Sequence, residues 1–198
     1  MSKLGIFGGT FNPIHTAHLI IANTALEQYS LDRIMFLPNY QPPHKECDAM
    51  AEASVRFEMI QKAISSNPAF FACDYEINKG GLSYTVDTLK AFEEMYADDE
   101  LYFIIGGDSV ECFHLWYEPL EIAKRCKLLA YPRHARDLTK SIAALKSRFN
   151  AEIYKLDAPE FDISSSYIRD CVKNGKSVKY LVPDSVLEII EKNHLYKG

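Results

Sequence analysis

The sequence predicts an α/β fold in which a parallel sheet carries helices on both faces. Short apolar runs of strand length alternate along the chain with longer stretches of helical periodicity, and this βαβ rhythm is typical of parallel strands joined by crossover helices. The chain has 198 residues, 47% of them hydrophobic, which suffices for one substantial core and hence one domain. We therefore expect a doubly wound, Rossmann-like parallel sheet with a small C-terminal helical subdomain.

The predicted strands are the short apolar runs. The first contains Leu4, Ile6 and Phe7 and ends before a pair of glycines. Five more cover residues 33–37, 69–75, 100–105, 126–131 and 151–156. Because the carboxyl ends of parallel strands meet at the same edge of a sheet, the segments that follow these strands should line a common cleft.

The predicted helices occupy the intervals between the strands. The first is expected over residues 16–30, and others over residues 53–65, 85–96, 109–114 and 136–149. Two further helices, 162–174 and 183–194, follow the last strand, and the second has Val186, Leu187 and Ile190 on one apolar stripe. We expect a core over residues 1–160 and a helical subdomain over residues 161–198 that belongs to the same domain.

The segment between the first strand and the first helix is the most informative part of the chain. It reads Gly-Gly-Thr-Phe-Asn-Pro-Ile-His-Thr-Ala-His over residues 8–18. Glycines let the backbone approach a ligand closely, and the free N–H groups at the start of a helix attract anions. His15 and His18 are three residues apart, so in the first helical turn they share a face near its positive end. The pattern predicts a phosphate site, with Asn12 closing the turn through its side chain.

The charge of the chain argues against a long polyanion as its partner. Lys and Arg total 22 and Asp and Glu total 27, a formal net charge of −5, whereas domains that bind tRNA or duplex DNA are usually basic. No apolar stretch approaches the roughly 20 residues that a membrane span needs. We therefore expect small anions, rather than nucleic acid or a membrane, as partners of a soluble, cytoplasmic protein.

The five cysteines are scattered and include no C-x-x-C pair. This spacing predicts reduced thiols rather than a structural zinc or redox site. Cys47 lies close to His44 in a polar segment, which leaves transition-metal ligation open there, although no second pair completes a tetrahedral set. No metal bound by the protein alone is expected.

Motifs along most of the chain resemble those of a known family. The glycine-rich segment resembles the H-x-G-H motif of the nucleotidyltransferase superfamily, and its G-G-T-F form is similar to that of the nicotinate mononucleotide adenylyltransferases. The resemblance extends to Pro-Pro-His-Lys at residues 42–45 and Ser-Tyr-Thr-Val-Asp-Thr-Leu at residues 83–89. It also covers Gly-Gly-Asp at residues 106–108, Trp116, and Ile-Ser-Ser-Ser-Tyr-Ile-Arg at residues 163–169. The chain departs from the family pattern at Asn12, where Asp is commoner, and at Ala17, where the motif has Gly.

The resemblance implies an enzyme that transfers the adenylyl group of ATP to nicotinate mononucleotide, giving deamido-NAD and pyrophosphate in NAD biosynthesis. An acceptor phosphate oxygen would attack the α-phosphorus of ATP in line. That phosphate is already ionised near neutral pH, so the protein must hold two polyanions and spread the developing charge rather than supply a strong base. Mg²⁺ would enter as the cofactor, bound through the ATP phosphates.

The resemblance also assigns site residues. His15, His18 and Arg169 are expected to be catalytic. The expected ATP-binding residues are Gly8, Gly9, Thr10, Phe11, His15, His18, Gly106, Asp108, Ser165, Ser166 and Arg169. For nicotinate mononucleotide, the charge of Lys45 would meet the phosphate, Thr85 would meet the carboxylate, and the Trp116 ring would stack on the pyridinium.

Other functions are left open by the sequence. Nicotinamide mononucleotide or phosphopantetheine is an alternative acceptor, because the H-x-G-H chemistry is shared. A nucleotide-binding sensor without catalysis would fit the departures at Asn12 and Ala17, and an RNA binder similar to the tRNA synthetases would need a basic surface that the composition does not show. Association into a homo-oligomer is also left open.

Overall fold

A computed structural model describes residues 1–41, 50–132 and 137–197. Its strands are β1 (Ser2–Gly9), β2 (Arg33–Pro38), β3 (Phe70–Ala72), β4 (Asp99–Gly106), β5 (Lys127–Tyr131) and β6 (Ile153–Lys155). They form one six-stranded sheet in the order β3-β2-β1-β4-β5-β6, and every neighbouring pair is parallel. The order reverses between β1 and β4, which is the doubly wound arrangement. The predicted fold class is confirmed.

Helices connect the strands and complete the chain. They are α1 (Thr16–Gln28), α2 (Ala53–Ile64), α3 (Tyr75–Lys79), α4 (Thr85–Met95), α5 (Gly107–Cys112), α6 (Pro119–Arg125), α7 (Thr139–Phe149), α8 (Ser165–Lys173) and α9 (Asp184–Lys192), with a 3₁₀ turn at Phe113–Leu115 after α5. Within the three described ranges, no helix is long and apolar enough to cross a membrane.

Two of these helices differ from the sequence prediction. The strand predicted over residues 69–75 stops at Ala72, because the chain turns into α3 at Tyr75 after a last hydrogen bond from the Cys73 N–H to the Phe36 carbonyl at 3.0 Å. Helix α6 was not predicted at all. It begins at Pro119, a favoured first position, after Glu118 has taken a left-handed conformation with φ of 51°.

The sheet separates two apolar clusters, one on each face. Side chains alternate along the strands, so Phe7 and Ile104 face the cluster that contains α1 and α2, whereas Ile6 and Phe103 face the cluster that contains α4 and α7. Both clusters consist of buried residues, many of them completely inaccessible. The central strands β1 and β4 are therefore fixed from both sides, and their carboxyl ends are held firmly in place.

The C-terminal helices pack on the α1 face and help to build the site. Ile168 of α8 and Val186 of α9 lie in the same buried cluster as Ile60 of α2. The N–H of Thr16, at the start of α1, donates to the Leu181 carbonyl at 2.9 Å. These contacts bring the start of α8 beside the segment that joins β1 to α1.

Candidate active site

An open cleft with a volume of about 760 Å³ lies at the carboxyl ends of β1 and β4. This is the point where the strand order reverses, the usual ligand site of a doubly wound sheet, and the volume is typical of a small-molecule site. The predicted site residues that line the cleft are Gly8, Gly9, Thr10, Phe11, His18, Thr85, Gly106, Asp108, Trp116, Ser165, Ser166 and Arg169. Residues more than 150 positions apart in the sequence thus share one cavity.

One wall of the cleft comes from the segment predicted to bind phosphate, residues 8–18 at the junction of β1 and α1, which is called the phosphate turn below. A Cβ atom at Gly8 would lie 3.0 Å from the Phe103 ring, so only glycine fits there without displacing that ring. Phe11 has a φ of 48°, a left-handed conformation that costs a non-glycine residue about 1–3 kcal/mol. The turn therefore keeps its shape only because neighbouring groups hold it.

The two histidines of the turn occupy different environments. His15 is 1% exposed and stacks on His18, with ring centroids 3.6 Å apart. The main-chain N–H of His15 donates to Nδ1 of His18 at 3.2 Å. Because Nδ1 of His18 accepts a hydrogen bond, the neutral ring carries its proton on Nε2. His18 can therefore present an N–H donor to an anion in the cleft.

His15 is not among the residues that line the main cleft. It lines a small adjoining cavity of about 20 Å³ that it shares with His18 and Tyr131. His15 is the N-cap residue of α1, and its ring is buried.

The second wall is the start of α8. Ser164 caps this helix, its Oγ accepting the Tyr167 N–H at 3.1 Å. The Ser165 hydroxyl donates to the Pro13 carbonyl at 2.9 Å, and Arg169 Nη1 donates to the Asn12 carbonyl at 2.9 Å. Arg169 Nη2 also lies 3.4 Å from the Ser166 hydroxyl. Helix α8 is thus bonded directly to the phosphate turn, and its first N–H groups and Arg169 together offer several donors to an anion.

Asn12 bonds to distant parts of the chain, which gives it a structural role. It is 2% exposed. Its Oδ1 accepts the Ala51 N–H at 3.1 Å and the Tyr196 hydroxyl at 2.7 Å. The side-chain oxygen needed for these bonds is present in both Asn and Asp, so this departure from the family pattern leaves the two contacts intact.

The opposite wall is aromatic. The Trp116 ring is half-buried against Phe113 and Phe103, with centroid distances of 5.4 and 6.3 Å. Tyr84 and Tyr117 lie nearby with ring centroids 5.1 Å apart. Thr85 is the first residue of α4 and also lines the cleft. This wall offers a flat ring beside a hydroxyl and a helix N-terminus, a combination suited to an aromatic acid.

The floor between the two walls is the end of β4. Gly106 caps α5, and a Cβ atom there would lie 3.1 Å from the Tyr131 hydroxyl. Asp108 follows in the first turn of α5, where its carboxylate is exposed at the cleft. An acidic group at the end of a central strand is well placed to accept hydrogen bonds from sugar hydroxyls.

The structure also reveals polar residues that the sequence analysis did not single out. Glu76 is only 7% exposed at the edge of the cleft, and its Oε1 accepts the Thr88 hydroxyl at 2.7 Å. Burial raises the pKa of this carboxyl, although its hydrogen bonds to Thr88 and Ser83 oppose the shift. Arg56 is fully buried beneath the phosphate turn. The spacing of the buried α2 residues Arg56, Met59, Ile60 and Ala63 was the available signal that Arg56 points inward.

Some expectations fall outside the structural description. Lys45, predicted to contact the acceptor phosphate, lies outside the described residues, as do His44 and Cys47. Among the residues that are described, no group of three or more His, Cys, Asp or Glu side chains could hold a metal ion.

Comparison with known proteins identifies the family. Residues 6–171 match the model of the cytidylyltransferase-like family. A relative from Clostridium novyi, described as a probable nicotinate-nucleotide adenylyltransferase, is 40% identical over 100% of both chains. A relative of the same description from Dictyoglomus thermophilum is 40% identical over 98% of this chain and 99% of its own.

Solved structures agree on the fold. The nicotinic acid mononucleotide adenylyltransferase of Plasmodium falciparum in complex with NaAD superimposes with a TM-score of 0.83 at 21% identity, over 99% of this chain and 98% of that chain. The same enzyme in complex with APC gives a TM-score of 0.81 at 20% identity, with the same coverage. The full-length matches and the shared fold lead to one conclusion: the chain belongs to the cytidylyltransferase-like family, within its group of nicotinate-nucleotide adenylyltransferases.

Proposed function

We propose that the protein transfers the adenylyl group of ATP to nicotinate mononucleotide, releasing pyrophosphate and forming deamido-NAD in NAD biosynthesis. One observation carries the proposal: a single cleft has anion donors from the phosphate turn and α8 on one wall, and Trp116 with Thr85 on the other. Two substrates bound to these walls would meet at the carboxyl end of β1. Holding them in line there supplies most of what this reaction needs.

The ATP phosphates are assigned to the wall formed by the phosphate turn and α8. His18 would donate from Nε2 to a phosphate oxygen, and Arg169 would neutralise the charge that develops on the leaving pyrophosphate. Ser166 and the first N–H groups of α8 add donors, while Ser165 ties that helix to Pro13. We keep His15, whose ring stacks on that of His18, as a proposed catalytic residue at the same phosphates. Gly106 and Asp108 are assigned to the adenosine ribose.

Nicotinate mononucleotide is assigned to the aromatic wall. The pyridinium ring is cationic, so the Trp116 face attracts it as well as covering it. The Thr85 hydroxyl and N–H, at the start of α4, would receive the nicotinate carboxylate. We keep Lys45 as the proposed partner of the acceptor phosphate.

The remaining assignments follow from this chemistry. Nucleotidyltransferases generally use a divalent metal, and we propose Mg²⁺, which would arrive as part of the ATP substrate. We place the reaction in the cytoplasm. We treat residues 1–160 as the core and residues 161–198 as the C-terminal helical part of the same domain, because α8 and α9 share the buried cluster of α1 and α2.

The direct test is pyrophosphate release by the purified protein with ATP and Mg²⁺. Nicotinate mononucleotide, nicotinamide mononucleotide and phosphopantetheine are compared as acceptors at equal concentration. We expect the nicotinate form to be strongly preferred, because an amide cannot present a carboxylate to Thr85 and the α4 N-terminus. The product should have the mass of deamido-NAD.

Other outcomes would change the proposal in defined ways. Turnover of another acceptor would keep the mechanism and replace the substrate. Tight ATP binding without turnover of any acceptor would instead support a nucleotide sensor. Wild-type activity that survives in His18→Ala would contradict the assigned phosphate site.

A further inference from the structure

Arg56 of α2 is a completely buried cation beneath the phosphate turn. Its Nη1 donates to the Thr10 carbonyl at 2.7 Å, and its Nε donates to the Ala51 carbonyl at 3.1 Å. Its Nη2 donates to the carbonyls of Asn39 and Tyr40 at 2.8 and 3.2 Å. One guanidinium therefore binds four main-chain oxygens.

The burial of this charge calls for an explanation other than packing. The buried face of α2 also carries Met59 and Ile60, and an apolar side chain at position 56 would continue that face. A buried charge contributes little net stability compared with a well-packed apolar residue. Burial also lowers the pKa of Arg56, yet a guanidinium stays protonated at neutral pH. The role of Arg56 is therefore to fix the main-chain carbonyls that its guanidinium binds.

The four oxygens belong to three segments that meet at the active-site edge of the sheet. Thr10 follows β1, Asn39 and Tyr40 follow β2, and Ala51 precedes α2. The planar fork of arginine has donors in fixed directions, which suits it to this task better than the point charge of a lysine. Arg56 thus sets the position of the phosphate turn relative to the segment after β2.

The hydrogen bond from Arg56 to the Thr10 carbonyl acts beside the residue of the turn with the least favourable backbone conformation. A peptide unit is planar, so fixing the Thr10 carbonyl towards Arg56 also fixes the Phe11 N–H in the opposite direction. Phe11 is the residue with a left-handed φ of 48°. Beyond Phe11, Arg169 holds the Asn12 carbonyl, which belongs to the Asn12–Pro13 peptide. Arg56 therefore fixes the peptide that precedes Phe11, and Arg169 fixes a peptide two positions further along the turn.

We infer that Arg56 is a positioning residue for adenylyl transfer, which holds the phosphate turn in its left-handed shape through the Thr10 carbonyl. The inference rests on the proposed function. Arg56 does not touch the substrates; it acts through the orientation of the turn and of His18, whose ring packs on Phe11 with centroids 5.0 Å apart.

The test compares Arg56→Lys with wild type and with Ile60→Val, a buried change on the same helix that leaves the turn contacts alone. Each protein is assayed for kcat and for both KM values, and its melting temperature and circular dichroism are recorded. Arg56→Lys should lose about 10- to 100-fold in kcat at saturating substrates while staying folded, because a small misplacement of reacting groups has an effect of that size. Ile60→Val should keep the wild-type kcat.

A second variant supplies a rescue experiment. Arg56→Ala leaves a cavity of guanidinium shape, so millimolar guanidinium chloride should restore part of its kcat, whereas sodium chloride at the same ionic strength should not. A kcat within twofold of wild type in Arg56→Lys would overturn the inference. So would failure of both variants to fold, which would make Arg56 a residue of the fold alone. An inactive wild-type protein would instead refute the proposed function. Failure of the proposed function is thus distinguished from failure of the Arg56 inference, which needs an active wild type.

Discussion

The two walls of the cleft are built in different ways. The wall formed by the phosphate turn and α8 consists of main-chain groups and side chains bonded to one another, such as Arg169 to Asn12 and Ser165 to Pro13. The wall around Trp116 consists largely of aromatic rings, and Tyr117 in it is 55% exposed. A preorganised polar wall lowers a barrier, whereas an apolar wall mainly recognises a ring. We therefore expect changes in the first wall to reduce kcat and changes in the second to raise one KM.

The largest effect is expected for His18→Ala. Removal of one donor to the developing charge should reduce kcat by about 10²- to 10³-fold, with the KM for nicotinate mononucleotide almost unchanged. Steady-state kinetics with each substrate varied in turn will measure this split. A variant with nearly normal turnover and unchanged ATP affinity would show that the phosphate wall has been wrongly identified.

Arg169→Lys tests whether the same wall depends on the shape of its donors as well as on charge. Lysine keeps the charge but cannot bind two groups in a fixed fork. Loss of a charge-assisted hydrogen bond, about 1.5–3 kcal/mol, should lower kcat/KM for ATP by about 10- to 100-fold. Lys173→Arg, one turn further along α8, serves as a control that should leave kinetics unchanged. Equal activity of Arg169→Lys and wild type would show that Arg169 acts through its charge alone and that its fork geometry is not needed.

Trp116→Ala addresses the other wall. Loss of stacking on a cationic ring, worth about 0.5–2 kcal/mol, should raise the KM for nicotinate mononucleotide by about 2- to 30-fold and leave the KM for ATP near its wild-type value. Leu120, which is 51% exposed on α6, provides a matched control as Leu120→Ala. If both KM values rose together in Trp116→Ala, a general disturbance of the cleft would be the better explanation.

Tyr196→Phe removes a support of the phosphate wall without touching the cleft. Its hydroxyl donates to Asn12, and loss of one such bond should lower the free energy of unfolding by about 0.5–1.5 kcal/mol. Urea denaturation will measure the change, with Tyr180→Phe, at an 82% exposed residue, as the control. Equal stabilities for the two variants would show that the C-terminal contact is unimportant.

The smallest effect is a pH dependence from Glu76, at the edge of the cleft. Burial raises the pKa of its carboxyl above the unfolded value, so the folded protein binds this proton more tightly than the unfolded chain does. Its favourable contribution is present below the unfolded pKa and is lost as the pH rises through the raised folded pKa. Relative to wild type, Glu76→Gln should therefore become more stable as the pH rises above about 4.3. Parallel stability curves for the two proteins would contradict this account.

The sequence was most informative where contacts are local. The apolar runs of β2, β4 and β5 predicted those strands to within about one residue, because a buried parallel strand is marked by its own composition. Helix α3 was missed because it is only five residues long, too short for a periodic pattern. The motif residues of both cleft walls were identified from the resemblance.

What the sequence could not show is how distant segments support these motifs. The bonds from Arg56 to Thr10 and from Tyr196 to Asn12 join residues 46 and 184 positions apart. No local sequence pattern predicts such pairs. Nor did the histidine spacing reveal that the His15 ring would be almost completely buried.

The central claim is that both substrates occupy one cleft and react directly, with no nucleotide bound covalently to the protein on the way. The most direct test is the stereochemical course at the α-phosphorus, followed with ATP that carries a chiral α-phosphorothioate and read by phosphorus NMR of the dinucleotide product. A single in-line displacement inverts the configuration, and we predict inversion. Retention would require two displacements through a covalent nucleotidyl-enzyme and would contradict the account.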